Sequence, residues 1–285
     1  MSISSGSSGQ LYIHVGLRKT ATTWMQNYLF PKIQGLNFVG KTNNNYPDWF
    51  IQWSYWDDSH FQRNVGNLSK RIDAILANNR KTLISSEAFT NTAAILNQAE
   101  RIKAVWPNSK IIVTVRDPID VIISHYHHDI KEGTVFREVQ EYIDTERTPF
   151  FIGKRKRIYL PDYYYTEMIE NYNSLFGEKN VCVLKYEMLT MNPRQFISEL
   201  SDFTGLVINE NDVQFDVCLN TGESLNNLEN ARYENLLSSI IDVVPDVRSR
   251  IPYEAVEHYF KGNGVSPITK DWLIEILRGK AHPYY

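Results

Sequence analysis

The sequence predicts an α/β fold, a mostly parallel sheet flanked by helices. Short runs of β-branched and apolar residues, Leu11–Val15, Lys81–Ser85, Ile111–Val115 and Asn180–Glu187, stop at turn or cap residues, and stretches with apolar side chains at helical spacing follow them. Strands alternating with helices favour parallel pairing through right-handed crossovers. With 285 residues, 42% hydrophobic and 22% charged, the chain is long enough for a full core and has the composition of an ordinary soluble protein.

Met1–Gln10 is rich in Ser and Gly, with neither a basic n-region nor an apolar h-region. It reads as a flexible tail without signal peptide or membrane anchor, and residues 11–285 as a single domain. A net charge of −3 gives no general attraction to nucleic acid or an anionic membrane, so local basic groups must do any anion binding. Two cysteines, Cys182 and Cys218, make no disulfide framework and lack zinc-site spacing, which fits a reducing, cytoplasmic compartment.

The first element is a strand, Leu11-Tyr12-Ile13-His14-Val15, that stops at Gly16; Trp24, Met25, Tyr28 and Leu29 then recur at helical spacing. Thr20, Thr22 and Thr23 fall at the helix start, where hydroxyls, unpaired backbone N–H groups and the positive end of the macrodipole suit a phosphate. Lys19 adds a point charge. Only two residues separate Gly16 from Lys19, and Arg18 stands where the second glycine belongs, so the segment is not a Walker A loop. The alternative is a well-capped helix after a buried strand. Lys19-Thr20-Ala21-Thr22-Thr23-Trp24 resembles the 5′-phosphosulfate-binding loop of sulfotransferases that use 3′-phosphoadenosine 5′-phosphosulfate (PAPS), with its Lys-Ser/Thr-Gly-Thr-Thr core. Ala21 replaces the glycine, and alanine disfavours positive φ. The resemblance implies that Arg18, Lys19, Thr20, Ala21, Thr22, Thr23 and Trp24 bind the donor.

Phe30-Pro31 ends the first helix. Asn37–His60 is a polar, aromatic stretch that reads as a long loop, with Trp49, Trp53 and Trp56 beside Tyr46, Phe50 and Tyr55. Its tryptophans form either a stacking wall for an acceptor or a satellite core, and the core reading ranks ahead. Leu68–Leu76 is an amphipathic helix and Lys81–Ser85 a strand, after which Glu87 sits at a strand's carboxyl end, where ligands of parallel sheets lie. In the sulfotransferase family this region supplies a base or a substrate-orienting group, a role the resemblance implies for Glu87; a cap or salt-bridge carboxylate is the other reading.

A helix from about Thr92 to Val105 leads to Ile111–Val115. Asp117 is then an N-cap, Pro118 the first helical residue, and Asp120 completes a capping-box-like pair. Arg116 leaves the strand's end, and Ser124 lies two turns down the helix; a guanidinium and a hydroxyl converging there can bind a terminal phosphate. Arg-Asp-Pro, with Ser eight residues after the arginine, resembles the family's 3′-phosphate-binding motif. His125, His127 and His128 lack metal-site spacing and read as solvated or packing residues.

Glu132–Thr145 reads as helical. Gly153-Lys154-Arg155-Lys156-Arg157 is either a solvated face or a rim that meets PAPS or a charged acceptor. Pro161 opens a helix to Phe176, Asn180–Glu187 is a strand, and Asn192-Pro193 introduces a helix to Phe203-Thr204-Gly205-Leu206, a run that also resembles the family. Asn220–Leu225 and Lys261–Gly264 are both candidates for a loop closing on the donor. Leu228, Leu236, Leu237, Ile240 and Ile241, then Trp272, Leu273, Ile276 and Leu277, mark two packing helices.

The resemblance runs from about Leu11 to Leu206 and implies a P-loop NTPase-like sulfotransferase fold. It implies an enzyme that moves the sulfuryl group of PAPS to a hydroxyl or amine of a saccharide or small-molecule acceptor and releases PAP, with no metal. Lys19 would stabilise the leaving charge, Glu87 take the acceptor's proton, and Arg116 and Ser124 hold the 3′-phosphate. The rival readings are a P-loop kinase or NTPase using Mg-ATP, and an inactive nucleotide-binding scaffold.

Overall fold

A computed structural model of the chain describes residues 9–40, 52–76, 81–90, 95–137, 139–144, 158–163 and 165–217, with nine further positions between 227 and 238. Its strands are β1 Leu11–Gly16, β2 Leu36–Gly40, β3 Lys81–Ser85, β4 Lys110–Val115, β5 Ile143–Asp144, β6 Ile158–Tyr159 and β7 Val181–Lys185. The chain divides into two compact units, Met1–Arg116 with Tyr165–Leu219, and Asp117–Tyr164 with Asn220–Tyr285.

The first unit carries a five-stranded sheet in the order β2-β3-β1-β4-β7, all parallel. β1 is central and every residue of it is buried, as a strand covered on both faces requires. Successive side chains leave β1 on opposite faces. Leu11, Ile13 and Val15 join Ile84, Ile111 and Val113 in one core, with residues of the helices Asp58–Leu76, Ile95–Val105 and Tyr165–Phe176. Tyr12 joins Leu83, Ile112 and Leu184 in the other core, with Trp24, Met25 and the helix Pro193–Thr204. Asn192 caps that helix by accepting from the Gln195 N–H, and Gly205 ends it at φ 58°. From the start of β3, the Lys81 ammonium donates to the Thr204 and Gly205 carbonyls at 2.8 and 3.0 Å, a cation at the helix's negative end.

The second unit is built on the helix Pro118–Lys131. Asp117 caps it by accepting from the Ile119 and Asp120 N–H groups, and Pro118 takes the first turn, as the sequence requires. Val121, Ile122, Tyr126 and Ile130 face a core with Val135, Val139, Tyr142, Ile158 and Tyr163. The Tyr142 hydroxyl donates to the buried Asp129 carboxylate at 2.7 Å, and Asn235 donates to the Ile130 and Val135 carbonyls. β5 and β6 pair in parallel here.

Two sequence expectations are corrected. Glu132–Thr145 is not one helix: Gly133 at φ 75° turns the chain, and among its described residues only Val139–Tyr142 is helical before β5. The stretch read as a loop from Asn37 begins inside β2, whose apolar content is only Leu36, Phe38 and Val39. The first helix ends where the sequence puts it: Met25–Leu29 is C-capped at Phe30, and Pro31 lies in a separate 3₁₀ turn, Phe30–Lys32, where its missing N–H costs nothing.

Candidate functional site

The site builds from the carboxyl end of β1. The strand gives way to Leu17-Arg18-Lys19-Thr20-Ala21, and helical structure resumes at Thr22. Lys19 and Ala21 both take left-handed backbone conformations, φ 68° and 63°. Alternating left-handed residues turn successive N–H groups toward one concavity, the geometry that suits an anion. Ala21 thus holds the conformation natural to glycine, at the cost of a Cβ in the αL region.

The three hydroxyls do not face the same way. Thr20 Oγ1 donates to the Leu17 carbonyl at 2.6 Å and contacts Thr114 Oγ1 at 2.9 Å; Thr22 Oγ1 also donates to the Leu17 carbonyl, at 3.1 Å. Both residues are buried, whereas Thr23 is exposed. Thr20 and Thr22 therefore shape the loop with their hydroxyls and offer an anion only their backbone. Trp24 is buried in the second core, where its indole N–H donates to the Gln214 carbonyl at 2.9 Å and its ring stacks on Phe215.

Glu87 follows β3 in a 3₁₀ turn capped by Ser86, whose hydroxyl accepts from the Ala88 N–H. Its carboxylate lies 4.0 Å from Arg18 Nε, a half-exposed pair worth at most a fraction of a kcal/mol, about 0.2–1. Arg116, at the end of β4, donates from Nη1 to the Lys19 carbonyl at 3.2 Å, and its guanidinium lies 4.4 Å from the centroid of the Tyr186 ring. Arg18, Lys19, Glu87 and Arg116 are thus gathered at the carboxyl ends of β1, β3 and β4. Ser124 belongs to the second unit, half-buried on the helix Pro118–Lys131. In that unit His125 Nδ1 meets the Tyr163 hydroxyl at 2.6 Å, and burial lowers the pKa of His127.

Sequence reasoning passed over Tyr186, which supports Arg116, and over His14, which lies under the loop. His14 is fully buried, its Nδ1 2.7 Å from Ser85 Oγ and its Nε2 3.2 Å from Thr114 Oγ1. A histidine in an otherwise apolar and aromatic strand was the available signal. Trp53 is fully buried against Phe61, Phe89 and Trp106, so the core reading of that residue holds. Trp49, the basic run 153–157, both candidate closing loops, Cys218 and Trp272 lie outside the described residues. Cys182 packs partly buried against the second core, and burial raises its thiol to about 12. Among the described residues no group of three or more His, Cys, Asp or Glu is disposed to hold a metal, and no helix is long and apolar enough to cross a membrane.

A parallel sheet with an anion-suited loop at the end of its central strand defines an α/β protein of the P-loop NTPase-like type. The family model described as sulfotransferase domain matches residues 12–251, and the chain belongs to that family. The family is one of transferases. Among solved structures, a sulfotransferase from Alicyclobacillus acidocaldarius is 16% identical with a TM-score of 0.47, over 81% of this chain and 95% of its own. The sulfotransferase domain from the curacin biosynthetic pathway is 16% identical with a TM-score of 0.42, over 96% and 99%. Mouse sulfotransferase SULT7A1 complexed with PAP is 12% identical with a TM-score of 0.37, over 82% and 67%. No curated protein matches the chain.

Proposed function

We propose that the chain, as a single sulfotransferase domain over residues 11–285, transfers the sulfuryl group of PAPS to a hydroxyl or amine acceptor, a saccharide or a small molecule. The observation that carries the reading is the Leu17–Ala21 loop, with two left-handed residues and a lysine at the end of the central strand, in a chain of the sulfotransferase family. The donor's sulfate end suits this loop. In the transfer, the bond from sulfur to the bridging oxygen of the phosphosulfate breaks as the acceptor's oxygen or nitrogen bonds to sulfur. The electron pair stays on the bridging oxygen, so charge develops there, and Lys19 with the loop N–H groups stabilises it. Glu87 takes the acceptor's proton. Arg116 binds the 3′-phosphate with its forked donors, its guanidinium oriented by the Tyr186 ring and the Lys19 carbonyl.

The Mg-ATP reading needs the hydroxyl after the loop lysine as a metal ligand. Here that hydroxyl, on Thr20, is buried, 2.6 Å from the Leu17 carbonyl and 2.9 Å from Thr114 Oγ1; the spacing, with only two residues between Gly16 and Lys19, is what favours the sulfuryl donor.

Release of PAP from PAPS is followed with saccharide, phenol and amine acceptors. The wild type should form PAP with at least one class. Lys19→Ala should lose about a hundredfold or more in turnover, and Glu87→Gln should lower turnover while PAP binding is kept. Full activity in Lys19→Ala, or ATP hydrolysis with no PAP formed from PAPS, overturns the reading.

A further inference from the structure

We propose that His14 is a positioning residue for the donor loop: as its Nε2–H tautomer it ties β3 to β4 beneath the loop and, through Thr114 and Thr20, fixes the Leu17 carbonyl about which the loop folds. The proposal rests on the donor-loop reading above.

The direction of every hydrogen bond in this chain follows from its last member. The Leu17 carbonyl can only accept, so the Thr20 hydroxyl proton is committed to it at 2.6 Å. In the 2.9 Å contact between Thr20 and Thr114, Thr114 must then be the donor. Its proton being used, Thr114 Oγ1 accepts from His14 Nε2 at 3.2 Å, which places the ring proton on Nε2. In the neutral ring Nδ1 is an acceptor, so Ser85 Oγ donates to it at 2.7 Å, and Ser85 in turn accepts from the Gln26 amide at 2.9 Å. Five links run in one sense, from Gln26 below the loop to Leu17 within it. Burial alone holds the imidazole neutral, with a pKa of about 3.

The geometry that permits this is set by Gly16. His14 is opposite Ser85 in the β1–β3 register, but Thr114 is opposite Gly16 in the β1–β4 register, so the ring must lean along its own strand to reach it. A Cβ on Gly16 would lie 2.8 Å from His14 Cε1 and 2.9 Å from Thr22 Oγ1. Glycine here leaves room for the ring and for the second hydroxyl on Leu17. The Phe30 ring packs edge-on to the imidazole at 5.1 Å and limits its rotation. The loop with Lys19 is therefore held from within the sheet.

Thr114→Val keeps the shape and removes the link; Thr114→Ser keeps the link. Two readouts on the full chain separate the bracing from the donor reading. In the ligand-free protein, ¹⁵N imidazole spectra should show His14 as the Nε2–H tautomer, and the Lys19–Thr23 amide resonances should shift or broaden in Thr114→Val but not in Thr114→Ser. In titrations with PAP, Thr114→Val should bind about tenfold more weakly, and Thr114→Ser within about twofold of wild type. An Nδ1–H tautomer, or loop amides unchanged in Thr114→Val, overturns the bracing whatever PAP does. Equal PAP affinity in Thr114→Val and wild type overturns the link to donor binding. Altered loop amides in Thr114→Val with no PAP binding by the wild type leave the bracing standing and overturn the donor reading instead.

Discussion

Ala21 sits at φ 63°, a conformation that costs an L-residue with a Cβ roughly 1–2 kcal/mol. Ala21→Gly relieves that strain, while the unfolded chain gains entropy worth about 0.4–1 kcal/mol. The balance runs from zero to about 1.6 kcal/mol, so thermal denaturation should show the variant as stable as wild type or more stable by up to that amount, with donor binding retained; a net loss of stability would mean the methyl group contributes packing. His14 carries a pH signature. Burial lowers it from the ordinary 6.5 to about 3, so the folded state binds this proton less readily than the unfolded chain. Its contribution is complete above pH 6.5 and falls as pH drops toward 3, by about 1.4 kcal/mol per pH unit. Urea midpoints between pH 4 and 7 should therefore fall less steeply in His14→Gln than in wild type, and equal slopes would contradict the buried neutral ring. That Lys19, Glu87 and Arg116 fall just past strand ends was legible because charged residues following an apolar run stand out in sequence. The bonds from His14 to Ser85 and Thr114 span 71 and 100 residues, and no local pattern announces them.

At the scale of elements, the strands of the sheet were legible where apolar runs were long, and the Asp117 and Asn192 caps announced their helices. β2 was missed because only Leu36, Phe38 and Val39 are apolar and tertiary pairing with β3 does the rest. Glu132–Thr145 misled because its apolar spacing is helical while Gly133 breaks the backbone. The tryptophan cluster divides by burial: Trp53 is fully enclosed, Trp56 half-buried against the same core, and Tyr55 exposed. Trp53→Ala should cost about 3–5 kcal/mol in urea unfolding. Its acceptor preference, measured at a temperature where the variant is folded, should match wild type; a selective change in acceptor would return Trp53 to the stacking wall.

For the whole molecule, the order β2-β3-β1-β4-β7 puts β1 between β3 and β4, so the loop after β1 emerges beside the ends that carry Glu87 and Arg116. That order could not be read from the sequence, since parallel pairing of strands far apart in the chain leaves no local trace. The family could be read, because Lys19-Thr20-Ala21-Thr22-Thr23-Trp24 and Arg116-Asp117-Pro118 are local runs that are visible without any strand pairing. The measurement to make is calorimetric titration of the full chain with PAP, adenosine 5′-phosphate and Mg-ATP, on wild type and Arg116→Ala. PAP should bind without added metal and about tenfold or more tighter than adenosine 5′-phosphate, with that margin lost in Arg116→Ala. A preference for Mg-ATP, with no gain from the 3′-phosphate, would contradict the sulfuryl-transfer reading.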